Sequence, residues 1–187
     1  EANTLLEGRE NPFSNLKEEV ARNPKKIPNL ADMKYLWRAL NDYGHDMYSL
    51  IGKLKILTGM HFTEIQQLRV RHIQGDWLVM DIGQHKVSNV CNEIRHKIYL
   101  TPQVRELVNR WLDMCELVEP QQLLFSHDGL NPINFKTFNK HWNLALKKAN
   151  LHFEFNTLRH GLITQLTSTQ YDPKLISGHC YLVDTAS

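Results

Sequence analysis

The groups in this chain most able to do chemistry are cationic or imidazole side chains set beside turn residues. His61 stands two positions after Gly59, Lys86 lies in a polar stretch, Arg159 and His160 open a helical segment, and His179 directly follows Gly178. Glu64 comes three positions after His61, and Asn156 three before Arg159. As types these are mainly donors to anionic oxygen, with one carboxylate among them. Singly, each has an ordinary reading: Arg159 as half of a surface pair, Lys86 as a solvated loop lysine, His179 as a turn histidine, and Glu64 as a first-turn carboxylate favoured by the helix dipole. Cys91, Cys115 and Cys180 are an odd number at wide spacing. They fit neither a disulfide framework nor a paired-cysteine metal site, and point to a reducing compartment.

The elements that must position these groups follow from periodicity. Residues 1–28, with Pro24 and Pro28 and little pattern, read as a linker or arm leading into one domain over 29–187. Met33, Leu36, Trp37, Leu40 and Tyr43 recur at helical spacing, with Asp32 as the expected N-cap and Gly44 as the stop. Met47, Leu50, Ile51, Leu54 and Leu57 make a second helix ending at Thr58-Gly59, and Thr63 with Gln66 offers a capping-box start for a short third one. The period then changes to that of a small sheet of about three antiparallel strands over 71–100, turning at Gly75-Asp76 and carrying a polar connection from Gln84 to Asn92. Thr101-Pro102 opens a helix with Val104, Leu107, Val108, Trp111 and Leu112 facing inward. Residues 133–149 form another, with Phe135, Phe138, Trp142 and Ala145 on one face and Lys136, Lys140 and Lys147 on the other. Helical stretches near 156–169 and 173–178 complete a mainly α fold with one small three-stranded antiparallel sheet.

Charge and hydropathy narrow the classes. With 22 Lys+Arg against 20 Asp+Glu and 42% apolar residues, the 187-residue chain is neither disordered nor collagen-like, and no apolar run is long enough to span a bilayer. The start has neither a basic nor an apolar leader region, so an intracellular protein is expected. The net +2 is unevenly spread: residues 33–75 and 131–187 each carry six basic and three acidic groups, whereas 101–130 carry two basic and five acidic. Such segregation can present a basic face and an acidic back.

Four stretches, in order, resemble the boxes of the tyrosine recombinase (phage integrase) family. Leu57-Thr-Gly-Met-His-Phe-Thr-Glu-Ile-Gln-Gln-Leu68 is similar to its TGxRxSE box; Lys86 followed by Arg95-His-Lys-Ile-Tyr-Leu100 to its lysine hairpin; Phe155-Asn-Thr-Leu-Arg-His160 to its HxLRH box; and Ile176-Ser-Gly-His179 to its LGH box. The resemblance covers about residues 32–187. It implies a tyrosine recombinase-like catalytic domain and site-specific DNA recombination, the integration or excision of a mobile element, on double-stranded DNA. A tyrosine attacks the backbone phosphate, leaving a 3′-phosphotyrosyl link and a free 5′-hydroxyl, without metal or nucleotide cofactor. It further implies self-association into a tetramer on DNA, no membrane or small-molecule partner, and a bacterial, DNA-associated setting. On these positions Arg159 would clamp the phosphate, Lys86 would protonate the leaving oxygen, His179 would donate to a phosphate oxygen, and Glu64 would support the site from behind. Lys136, Lys140 and Lys147 are candidate DNA contacts.

The departures are as specific as the matches. His61 stands where the family places its first phosphate-clamping arginine, and imidazole offers fewer donors than a guanidinium fork. Asn156 replaces a histidine; its amide still donates but cannot shuttle protons. The family's nucleophile would fall just beyond Ser187, and neither Tyr171 nor Tyr181 fits its spacing. The expectation is therefore a catalytic domain without its extreme C-terminal segment, inactive by itself. The alternative is a catalytically degenerate relative that binds DNA without cutting it. A more distant one is a helical protein-interaction domain.

Overall fold

The computed structural model describes residues 26–81 and 97–168. Its first helix, α1, spans Leu30–Asn41, and its cap differs from the sequence expectation. Asn29 is the N-cap, its side chain accepting from the Asp32 N–H at 2.9 Å, while Asp32 sits at the third helical position and accepts in return from the Asn29 N–H at 3.1 Å. The acidic residue is thus half of a capping box rather than the cap, so the helix starts earlier. It ends at Asn41, before Gly44, which turns the following loop at φ 78°.

Helix α2, Asp46–Thr58, is the centre of the domain and packs against α1 and the three later helices α4 (Pro102–Met114), α5 (Phe135–Lys148) and α6 (Thr157–Thr167). Contact on many sides explains why its burial is not confined to a stripe: Met47, Tyr48, Leu50, Ile51, Leu54, Ile56 and even Lys55 and Thr58 are buried. At Gly52 an added Cβ would stand 2.8 Å from Leu40 Cδ1 and 3.3 Å from Trp142 Cζ3, so the missing side chain lets α1 and α5 close on α2. Helix α3, Phe62–Gln66, follows after a three-residue corner, and a 3₁₀ turn over Val70–His72 leads into the sheet.

The sheet has the order β1-β2-β3, with β1 Ile73–Gln74, β2 Trp77–Val79 and β3 Lys97–Tyr99, all antiparallel. Ile73 pairs with Leu78 across the Gly75-Asp76 turn, and Leu78 with Ile98. Leu78 and Ile98 are fully buried while Trp77 and Tyr99 pair on the exposed face with ring centroids 5.3 Å apart, the alternation expected of a sheet wetted on one side. The polar connection expected between β2 and β3 lies outside the described residues, as does the stretch 173–178. Helix α4 opens as its sequence predicts: the Thr101 side chain caps it and Pro102 takes the first position. Helix α5 buries Phe138, Trp142 and Ala145, but Phe135 stays half exposed. It belongs to the first turn, where its ring lies T-shaped to Phe62, centroids 5.0 Å apart, and tilted against Phe138.

The segment before α1 is seated on α6. Pro28 is buried, and a Cβ built on Gly161 would collide with the Pro28 carbonyl oxygen and stand 2.7 Å from Met33 Cε. Alanine ordinarily favours a helix interior over glycine by about 1 kcal/mol, but a collision with backbone outweighs that gain. Gly161→Ala should lower stability by roughly 1–3 kcal/mol, the usual scale of overpacking, as read by denaturant unfolding. A variant as stable as the parent would contradict this seating.

Candidate functional site

The corner between α2 and α3 is built by four consecutive residues. Thr58 turns its hydroxyl back to donate to the Leu54 carbonyl at 2.6 Å, and Gly59 ends the helix in the left-handed region at φ 67°, its N–H donating to the Lys55 carbonyl at 2.9 Å. A side chain at residue 59 would be strained by that φ and would press on α6, standing 3.3 Å from Leu162 Cδ2 and 3.4 Å from Arg159 Cγ. Met60 is fully buried. His61 is the N-cap of α3, and its N–H donates to Glu64 Oε2 at 2.7 Å. The reciprocal cap expected at Thr63 and Gln66 is therefore made two residues earlier, by His61 and Glu64.

Arg159 reaches this corner from the first turn of α6, 100 residues further along the chain. Its Nη1 donates to the Gly59 carbonyl at 3.1 Å. The same oxygen accepts from Lys55 Nζ, also at 3.1 Å, and that ammonium donates to the Met60 carbonyl at 2.7 Å. Lys55 is wholly buried, with the Phe155 ring centroid 5.1 Å from its Nζ. Glu64 is only 3% exposed, and its carboxylate counters both cations. Burial, and next the neighbouring Arg159 charge, bring the Lys55 pKa down to about 7, against the upward pull of Glu64. Burial likewise lowers Arg159 from its ordinary value while Glu64 opposes it. A guanidinium stays protonated under such a shift, so Arg159 remains a cation at neutral pH.

Of the residues singled out in the sequence, His61, Glu64 and Arg159 come together here. Asn156 stands at the N-cap of α6, exposed, its carbonyl accepting from the Arg159 N–H at 3.2 Å. Lys136, Lys140 and Lys147 are exposed along α5. Lys86 and His179 lie outside the described residues. The structure adds groups that sequence reasoning missed. Lys55 is one; in Leu54-Lys55-Ile56-Leu57 it looks no different from Lys53, and only contact around all of α2 puts it inside. The others are His72 and Asp81, the latter the last described residue before the segment that carries Lys86. His72 Nδ1 accepts from the Arg69 N–H at 3.1 Å, which leaves Nε2 as the protonated nitrogen donating to Asp81 Oδ2 at 3.1 Å. Arg71 pairs with the same carboxylate. Against the upward push of burial, the His72 hydrogen bond and the nearby positive charge hold Asp81 below the usual carboxylate range.

Lys55 makes stability depend on pH. Its folded pKa is about 7 and its ordinary value 10.5, so between them the unfolded chain binds more protons and the fold gains stability as pH rises. Relative to Lys55→Met, wild-type protein should gain up to on the order of 5 kcal/mol across that interval. Denaturant unfolding of both proteins from about pH 6.5 to about pH 10.5 measures this difference. A gap that does not change with pH would contradict a buried, titrating lysine.

Comparison with known proteins places this geometry. The pattern that describes the Phage integrase family matches residues 32–179. No curated protein matches the sequence. Among solved structures, XerA recombinase is similar with a TM-score of 0.66 at 16% identity, covering 92% of this chain and 60% of that one. The XerH site-specific recombinase bound to difH substrate gives 0.64 at 19% identity, covering 83% and 48%. The lambda integrase catalytic core gives 0.59 at 14% identity, covering 84% and 92%. The chain thus spans about half to three fifths of the two Xer chains and most of the isolated lambda core, with which it shares a fold. Residues 32–179 carry the family's pattern on that fold, and the chain belongs to the phage integrase, or tyrosine recombinase, family.

Proposed function

We propose that this chain is the catalytic domain of a site-specific DNA recombinase that integrates or excises a mobile element through a phosphotyrosyl intermediate. The observation that carries the reading is the docking of Arg159 on the Gly59 carbonyl, two residues from His61. That contact joins two of the four boxes across 100 residues of chain and leaves a guanidinium at a helix corner with a donor-rich neighbourhood. A pentavalent phosphorane gathers negative charge, and preorganised donors at the place where it forms lower the barrier most. Arg159 supplies such a donor, His61 a second, and the exposed Asn156 amide a third. Lys86 delivers a proton to the departing 5′-oxygen as the tyrosine oxygen forms its bond to phosphorus and the P–O5′ bond breaks. His179 donates to a phosphate oxygen. The reaction conserves one phosphoester bond, so neither metal nor nucleotide is called for. Duplex DNA is the partner, with exposed Lys136, Lys140 and Lys147 supplying further phosphate contacts, and assembly is tetrameric on paired sites. A lambda integrase tetramer bound to a Holliday junction is among the similar structures.

A second reading is favoured by His61 and Asn156. With imidazole and amide in place of stronger groups, the corner holds a phosphate without driving its cleavage, and the protein binds DNA only. Both readings require Arg159 to touch phosphate.

Fluorescence anisotropy with a short duplex tests that requirement. Affinity should fall steeply as salt rises from about 50 to about 200 mM, because bound cations release counterions. Arg159→Ala should weaken binding by roughly 10- to 100-fold at constant salt, the scale of a charge-assisted hydrogen bond. Formation of a covalent adduct on nicked DNA by a longer chain bearing the tyrosine separates the cutting enzyme from the binder. No binding at about 50 mM salt would refute both.

A further inference from the structure

We propose that Lys55 is a positioning residue for Arg159: its ammonium holds the Gly59 and Met60 carbonyls, and so sets where the Arg159 guanidinium meets a DNA phosphate. The proposal rests on the reading of Arg159 as the phosphate clamp. It starts from placement. Lys55 leaves α2 four residues before Gly59, which brings Nζ beneath the carbonyls left over at the end of that helix, 3.1 Å from the Gly59 oxygen and 2.7 Å from that of Met60. A helix C-terminus favours a cation, but the usual one is half in water. Lys55 is wholly buried, under the Phe155 ring.

An ammonium stands out among the apolar residues Leu54, Ile51 and Ile56 that otherwise line α2. Removing it alone takes a counter-charge from Glu64 and a donor from the Met60 carbonyl, which costs stability. What the ammonium does that a methionine cannot is occupy the Gly59 oxygen together with Arg159. A carbonyl has two lone-pair directions. With both taken, the peptide plane between Gly59 and Met60 cannot rock, and Arg159 has one place on it. While Lys55 is protonated, below its pKa of about 7, the two cations also repel across that oxygen. Among the described residues, Glu64 on α3 and Arg159 on α6 are the charged groups acting on Lys55, and the Glu64 carboxylate opposes the charge of both cations. Because His61 contributes a weaker clamp than arginine, accurate placement of Arg159 matters more in this chain.

The test combines binding with a readout on Arg159 itself. Wild type, Lys55→Met, Arg159→Ala and the double variant are titrated with a short DNA duplex by anisotropy at about pH 6, where Lys55, with its pKa of about 7, is protonated, with thermal melts as a folding control. Lys55→Met should stay folded yet bind about tenfold more weakly, the scale of one charge-assisted hydrogen bond. In the Arg159→Ala background the same change should cost less than about twofold, because coupled residues are not additive. If Lys55→Met does not fold, Lys55→Gln, which keeps a donor without the charge, takes its place. In wild-type protein, the carbon-detected Arg159 Nε–Cζ signal should move with pH at the inflection shown by the Lys55 side chain's own resonances. An equal loss in both backgrounds, unchanged binding by a folded variant, or an Arg159 signal indifferent to Lys55 titration would each overturn the proposal. The spectra need no DNA. A wild-type protein that fails to bind the duplex therefore refutes the functional reading while the Arg159 signal still decides this one.

Discussion

One peptide carbonyl, that of Gly59, organises the functional end of this domain. It is turned out at the end of α2 by the left-handed conformation of residue 59, and the missing side chain there lets Leu162 and Arg159 of α6 approach without a tight contact. Everything near the site is then placed by reference to it. Lys55 approaches from within the core, Arg159 from α6, and the chain leaves through His61 into α3 with Glu64 closing the turn. The oxygen sits at the end of a helix that packs against α1, α4, α5 and α6, and it accepts from both Lys55 and Arg159. Precision is thereby lent to an arginine whose own side chain is long and flexible.

This arrangement trades stability for charge placement. Lys55, Arg159 and the Glu64 carboxylate are drawn into a poorly solvated corner, where three apolar residues together would be less costly. The seat of the preceding segment on Gly161, two residues beyond Arg159, stiffens the same helix from its other side. At the far edge of the sheet, His72 and Arg71 gather on Asp81, fixing the chain at the point where it departs toward Lys86. Of these supports, only the Arg159 contact and the seat of Gly161 on Pro28 join elements distant in sequence.

The sequence made the described helices and the sheet legible, because they rest on local signals. The Thr58-Gly59 ending of α2, the Thr101-Pro102 opening of α4 and the Gly75-Asp76 turn each follow from what one or two residues can do with their backbone. Caps were less legible. Asp32 was the most obvious N-cap and proved to be the partner of Asn29, and Thr63 looked like a cap while Glu64 was already committed to His61. In both cases a short polar side chain has several backbone N–H groups within reach, and the pattern alone does not choose among them. Lys55 was not legible at all. Periodicity marks one buried face, but α2 is packed beyond a single stripe and only Asp46, Lys53 and Leu57 stay outside, so a lysine two positions from Lys53 gives no local sign of being buried. The pairing of His72 with Asp81 needed the fold, since the pair forms only when the 3₁₀ turn meets the end of the strand region.

The central claim is that phosphate is held at the Gly59 corner. Backbone amide and arginine side-chain signals of isotope-labelled protein, followed by NMR while a short DNA duplex is added at low salt, test it most directly. The account predicts that the largest shifts fall on Thr58 to His61 and on Asn156 to His160, with the Arg159 guanidinium among them. Shifts confined to the exposed face of α5, with Gly59 and Arg159 unmoved at saturation, would contradict it.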